Sequence, residues 1–169
     1  MRYPLDNISN IMVSGQGAFG AIRKHDVHTG IDIYCENNEP VYAICNGTVC
    51  SVAPFTGPKA NLPWWNDTDA VIIDTNKKVR GIYIGKILYG EIEPCVKVGD
   101  VVIEGQLIGH IRTVLRKDKG RPMNMLHLEH YHSKYMGEGE IWKLGCKKPK
   151  YLKDPTIILF KIYSENRKK

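Results

Sequence analysis

Hydrophobic and β-branched residues come in short runs, broken by Gly or Pro about every ten positions. Runs of that length between turn residues predict the strands of a sandwich or barrel. The expected strands are IMVS (11–14), HTGIDIY (28–34), PVYAIC (40–45), TVCSVA (48–53), AVIIDT (70–75), VRGIYIGKILYGEI (79–92, with a bend), VVIEGQLIGHI (101–111) and NMLHLEHY (124–131). Alternation is clear inside them. Thr29, Ile31 and Ile33 share one face, and His28, Gly30 and Asp32 share the other. Leu126 and Leu128 likewise oppose Met125, His127 and Glu129. Asn46-Gly47 reads as a two-residue hairpin turn, with Cys45 facing Thr48 and Cys50 facing Ala43. The apolar run TIILFKIY (156–163) fits helix or strand and is expected to dock on the core. These patterns predict a mostly β protein, a single sandwich or barrel domain over residues 1–169 that ends in a basic extension at 132–169.

Two long connections interrupt the strands. The first, APFTGPKANLPWWNDTD (53–69), carries Trp64 and Trp65, which either line a groove or plug the space beneath the loop. The second is the basic loop RTVLRKDKGR (112–121). The net charge of +6 is unevenly placed: residues 1–110 carry −3 and residues 111–169 carry +9. A basic C-terminal third can attract an anionic polymer, and it is also what a solvated loop and tail look like. No nucleic-acid-binding motif accompanies it.

A chain of 169 residues, 43% hydrophobic, can bury a core without disulfides or a structural metal. The five cysteines include no CxxC pair, so a zinc ribbon is not expected. Buried free thiols in a reducing compartment are expected instead. No apolar run reaches the length of a membrane span, and MRYPLDNISN lacks the apolar stretch of a secretory signal.

The candidate chemistry starts at His28 and Asp32. On an ideal strand, positions four apart share a face but lie about 13 Å apart. One metal ion can join them only if the chain bends, and Gly30 lies between them. His127 stands on the polar face of its own strand. Singly, each is compatible with a structural polar residue. Together, two histidines and an aspartate make a three-ligand zinc site with an open fourth position.

The order and spacing of HTGIDI (28–33), PVYAICNGTV (40–49), AVIIDT (70–75), ILYGEIEPCVKVGDVVIEGQLIGHI (87–111) and MLHLE (125–129) resemble the lysostaphin-type, LytM-like zinc metallopeptidases. The resemblance covers about residues 11–131, where the domain core is then expected, plus DPT at 154–156. It implies an antiparallel β fold with a groove over a Zn2+ ion, and hydrolysis of peptide bonds in peptidoglycan stems or crossbridges. It maps the metal ligands onto His28, Asp32 and His127. Two auxiliary histidines of the family are replaced. Tyrosine-x-histidine reads Tyr89-Gly90-Glu91 here, and the first histidine of histidine-x-histidine is Met125. Glu91 therefore becomes the candidate general base or acid, and Tyr89 a candidate hydrogen-bond donor to the developing oxyanion. His25, His110, His130 and His132 are spare histidines, with His130 on the face away from His127.

The leading expectation is a zinc peptidase acting on peptide or peptidoglycan. The alternative is a degenerate, zinc-retaining module that binds a ligand or partner. VKVGDVVIEGQLIG (96–109) also resembles half of a lipoyl or biotinyl carrier, but Met123-Asn124-Met125 has asparagine where a carrier presents lysine. With no leader expected, a wall hydrolase is placed in the cytoplasm or with a phage particle.

Overall fold

Ile31, Ile33, Leu126 and Leu128 are fully buried, and the two strands that carry them lie side by side in the computed structural model. The structure describes residues 1–7, 11–75, 78–79, 82–118, 120 and 122–166. Its elements are β1 (Asp26–Val27), β2 (Ile31–Tyr34), β3 (Pro40–Tyr42), β4 (Gly47–Thr56), β5 (Thr68–Asp74), β6 (Lys78–Val79), β7 (Ile82–Tyr83), β8 (Lys86–Pro94), β9 (Val101–Val102), β10 (Leu107–Ile111), β11 (Met125–Tyr131), β12 (Trp142–Lys143), β13 (Leu152–Lys153) and α1 (Thr156–Asn166). Among the described residues, nine strands form the main antiparallel sheet, and β1–β12 and β6–β7 are small two-stranded pairs. This is the mostly β architecture that the run lengths predict, and its antiparallel pairing is what the family resemblance implies. No helix among the described residues is long and apolar enough to cross a membrane.

The sheet forks in its middle. Along one edge, β8 pairs with β5 throughout. Along the other, it pairs with β11 through Gly90, then with β10 from Ile92 onward. Glu91 sits at the switch. One extra residue in β8 relative to β5 between Tyr89 and Ile92 makes a bulge there. Glu91 has φ 66°, a left-handed conformation that side chains with a Cβ rarely adopt. Its carbonyl accepts the Arg112 N–H at 3.0 Å, which ties the β10 branch to the fork.

The alternation of β2, β8 and β11 gives the sheet two unlike faces. One face presents Ile31, Ile33, Ile87, Tyr89, Leu126 and Leu128 to the main core. The other carries Asp32, His127 and Glu129, and beyond them a second cluster with Leu88, Tyr131, Tyr135 and Leu152. Tyr89 is thus in the main core, where its hydroxyl accepts the Ile44 N–H at 2.9 Å. This corrects its expected role as an oxyanion donor. Leu128 pairs with Tyr89, so the tyrosine lies on the Leu128 face, and burial holds its hydroxyl well above its usual pKa.

Other expectations are also revised. IMVS (11–14) forms no strand. Asn46-Gly47 does not close a hairpin: β3 pairs with β10, while β4 pairs with β5 and β9. Asn46 Oδ1 instead accepts the Glu104 N–H at 2.7 Å, fastening the β9 segment. Of the cysteines only Cys45 is buried, Cys35 is half-buried, and Cys50, Cys95 and Cys146 are exposed. The core also extends outside 11–131: Tyr3 and Leu5 enter it from one end of the chain, and Ile158, Leu159 and Ile162 from the other. The last three lie on one stripe of α1, which resolves the ambiguous run 156–163 as a helix. Asp154 caps it, accepting the Thr156 N–H at 2.9 Å, and Pro155 at the helix start needs no N–H partner there.

His130 is buried on the face away from His127, and its Nε2–H donates to the Ile84 carbonyl at 2.5 Å. Its Nδ1 has no partner, and burial pushes its pKa down to about 4. An unfolded histidine titrates near 6.5, so the unfolded chain takes up a proton that the folded one refuses. The histidine's contribution is therefore fully present above pH 6.5 and is lost as pH falls toward 4. Urea unfolding is expected to show a His130→Gln variant whose stability falls less between pH 6.5 and 4 than the wild type's, by about 2–3 kcal/mol.

Candidate metal centre

Asp32 and His127 face each other because β2 and β11 pair in the register that sets Asp32 opposite His127. Leu128–Ile31 and Leu126–Ile33 are the flanking pairs. Burial of those side chains fixes that register, since a slip of β2 by one residue would turn Ile31 and Ile33 to the polar face, away from Leu126 and Leu128. His28 is not on the strand. The chain bends before β2, and Gly30 is packed so closely that a Cβ there would lie 2.5 Å from the Leu128 carbonyl and 2.7 Å from His127 Nε2. The bend brings His28 Nε2 to 3.1 Å from Asp32 Oδ1, in place of the span of an ideal strand.

Three donor atoms then meet. His28 Nε2 lies 3.1 Å from His127 Nδ1, and His127 Nδ1 lies 2.9 Å from Asp32 Oδ1. All three residues are buried. Ligands at roughly 2.0–2.1 Å from a tetrahedral zinc stand about 3.3 Å apart, close to the edges of this triangle. Their outer atoms are already engaged. His28 Nδ1–H donates to the Ala18 carbonyl at 2.9 Å, and His127 Nε2–H donates to Glu129 Oε1 at 3.0 Å. With those outer N–H groups donating, both inward nitrogens can give up their protons to a cation and aim lone pairs at the same point as a carboxylate oxygen. That donor set suits a cation of the zinc type. Among the described residues, His25, His110, His130 and His132 do not join the cluster.

The electrostatics call for positive charge at this point. Burial opposes the charge of Asp32, but the hydrogen bonds of both imidazoles outweigh it and hold the carboxyl well below its usual range. Burial likewise opposes a charged His127, yet hydrogen bonds to Asp32 and Glu129, with their negative charge, hold it up at about 10. Glu129 accepts from His127, Thr29 Oγ1 and the Tyr131 hydroxyl, and these bonds outweigh its burial to keep it ionised. Arg23 Nη2 donates to Asp32 Oδ2 at 2.8 Å and to the Gln16 carbonyl at 2.8 Å. It occupies the aspartate's second oxygen and leaves Oδ1 to the histidines.

Glu91 is buried beside this cluster, one residue past the Gly90 that pairs with His127. Its Oε2 has no hydrogen-bond partner. Burial, then the negative charge of Asp32, push its pKa up to about 8, against the opposing pull of His127 and Arg23. The ring of Phe55 lies 5.2 Å from that of His127 and covers Gly90, so β4 supplies one wall. Met125, at the position of a replaced histidine, is paired with Tyr34 at the end of β11.

The sequence reading brought out the three central residues and Glu91, but not the groups that hold them. Glu129 was legible in principle, two residues after His127 and so on the same strand face. Arg23 and Ala18 carried no such signal, because loop geometry brings them in, and Phe55 carried none, because the packing of β4 over the site brings it there.

A model of peptidase family M23 matches residues 26–137. No curated protein matches the chain. Among solved structures, the chain resembles the catalytic domain of the antimicrobial peptidase lysostaphin from Staphylococcus simulans, with TM-score 0.55 and 20% identity over 86% of this chain and 90% of that one. A zinc-containing peptidase from Vibrio cholerae gives TM-score 0.53 and 25% identity, over 76% of this chain and 35% of that one. Lysostaphin in solution gives TM-score 0.52 and 19% identity, over 80% of this chain and 44% of that one. The chain thus spans less than half the length of two of these three relatives.

Replacing Arg23 with Gln is expected to free Asp32 and weaken zinc affinity about 10- to 100-fold, with the fold retained. Competition against a chromophoric chelator measures the affinity, and circular dichroism checks the fold.

Proposed function

Because the chain belongs to peptidase family M23, we propose that it is a zinc-dependent endopeptidase in which His28, Asp32 and His127 hold the ion and Glu91 carries the proton. The observation that supports this reading is the triangle of inward-facing donor atoms with edges of 2.9–3.1 Å, whose outer atoms are already engaged. Bound there, zinc supplies the Lewis acidity that makes water a nucleophile at neutral pH. The chain's own groups do the rest. Glu91 Oε2 takes the proton of the attacking water as the new C–O bond forms, and returns it to the amine nitrogen as the C–N bond breaks. A carboxyl whose pKa sits near neutrality suits both halves of that transfer. Glu129 and Ala18 keep both imidazoles in the tautomers that ligation needs. Arg23 keeps Asp32 turned toward them.

The substrate we infer is a peptide of peptidoglycan, in keeping with the wall-hydrolase family that the sequence motifs resemble. Met125, standing where that family has a histidine, favours a second reading: a module that holds zinc and binds wall peptides without cleaving them.

Peptidoglycan digestion separates the two. The zinc-loaded protein is expected to release new amino groups from purified sacculi, and a chelator to stop it. Glu91→Gln is expected to retain stoichiometric zinc and lose turnover by about 10²-fold or more. Unchanged turnover in Glu91→Gln overturns the role of that residue. Zinc uptake with no cleavage favours the binding module, and no zinc uptake by the folded chain overturns both readings. Substituting Ala for His127 is expected to abolish zinc uptake, measured by metal analysis after gel filtration.

A further inference from the structure

The two long connections set apart in the sequence meet in the fold. Trp65 forms a bridge with Leu115, and the Asn66 N–H donates to the Val114 carbonyl at 2.9 Å. Asn66 Nδ2 donates to the Thr113 carbonyl at 2.9 Å, and Arg116 Nε to the Trp65 carbonyl at 3.0 Å. This backbone pairing holds a groove of about 210 Å³ lined by Trp64, Trp65, Leu115, Arg116 and Lys117. The indole rings stand edge to face, 6.3 Å apart and inclined at 70°. Trp64 is 61% exposed, so it is no plug under the loop. A large apolar ring fixed in water beside two cations is a surface that a ligand, not the core, would cover.

We propose that this groove is a carbohydrate subsite, which holds the glycan strand of an anionic wall polymer. A pyranose ring lies with its C–H face on Trp64, and carboxylates of the same polymer meet Arg116 and Lys117. The charge is complementary: both cations belong to the part of the chain, residues 111–169, that carries +9. The edge-to-face geometry argues for a sugar over a nucleic acid. A single-stranded nucleic acid is held on successive stacking plates along a basic track, whereas here the second indole meets the first by its edge. The placement fits the peptidase reading, on which the identity of the polymer rests. The tryptophan loop leaves β4 at Thr56, next to the Phe55 that covers His127. The basic loop starts at Arg112, whose N–H donates to the Glu91 carbonyl, so both loops of the groove are anchored at residues next to the proposed cleavage site.

The test uses the full chain, zinc-loaded and after chelation, with tryptophan fluorescence and calorimetry as readouts. The probes are an oligosaccharide of alternating N-acetylhexosamine and uronic acid, a neutral N-acetylglucosamine oligomer, a single-stranded oligonucleotide and polyglutamate. The acidic oligosaccharide is expected to bind with or without zinc and to shift the emission, and Trp64→Ala to weaken it about tenfold or more. Arg116→Gln and Lys117→Gln are expected to weaken it and flatten its salt dependence, and the neutral oligomer to bind more weakly. A Trp142→Phe control retains binding. No binding by the wild type, equal binding by Trp64→Ala, or tighter binding of the oligonucleotide or polyglutamate overturns the proposal. Zinc-dependent peptide cleavage without glycan binding removes this subsite alone. Glycan binding by a chain that takes up no zinc removes the peptidase reading and keeps the subsite.

Discussion

Everything at the candidate metal centre depends on the pairing of β2 with β11. Four buried aliphatic side chains hold that register, and they lie on the face opposite the site. Their burial is worth on the order of 1.5–3 kcal/mol each. A one-residue slip of β2 would turn Ile31 and Ile33 off the core face and leave Leu126 and Leu128 without their partners. The polar face inherits the precision of the apolar one. Asp32 and His127 are set opposite each other by a constraint that involves neither of them chemically.

The cost of bringing buried charge together is met by partners arranged in layers. Asp32 is neutralised by Arg23 on one oxygen and by imidazoles on the other. Glu129 is surrounded by three donors and orients His127. Burial without such donors pushes a carboxyl's pKa up, and Glu91, which lacks a partner on Oε2, is pushed that way. Two glutamates on neighbouring strands thus have their pKa values shifted in opposite directions. The difference comes from their hydrogen bonds, not from their residue type.

The fork in β8 gives Glu91 its place. Where the strand changes partner from β11 to β10, the ladder is interrupted and one residue bulges. A left-handed backbone at a glutamate costs on the order of 1 kcal/mol and survives only where the surroundings impose it. Here the β5, β10 and β11 pairings on either side impose it.

Residue alternation in the sequence determined the fold class, most of the long strands and the two faces of β2 and β11, while the likeness of His28, Asp32 and His127 to a ligand set came from the order and spacing of the motifs around them. Strands and faces are local properties, with a period of two residues that reads directly from side-chain type. Tyr89 shows where that reading fails: its place in the core follows from the strand that β8 pairs with, which the motif does not encode. The Asn46-Gly47 turn fails for the same reason, since β3 and β4 pair with strands distant in sequence and not with each other. Only the tertiary structure decided the bend at Gly30 that closes the triangle, the arrival of Arg23 and Ala18 from a loop, and the meeting of Trp64 and Trp65 with the basic loop. Each depends on contacts between segments distant along the chain or on loop geometry, where side-chain periodicity carries no information.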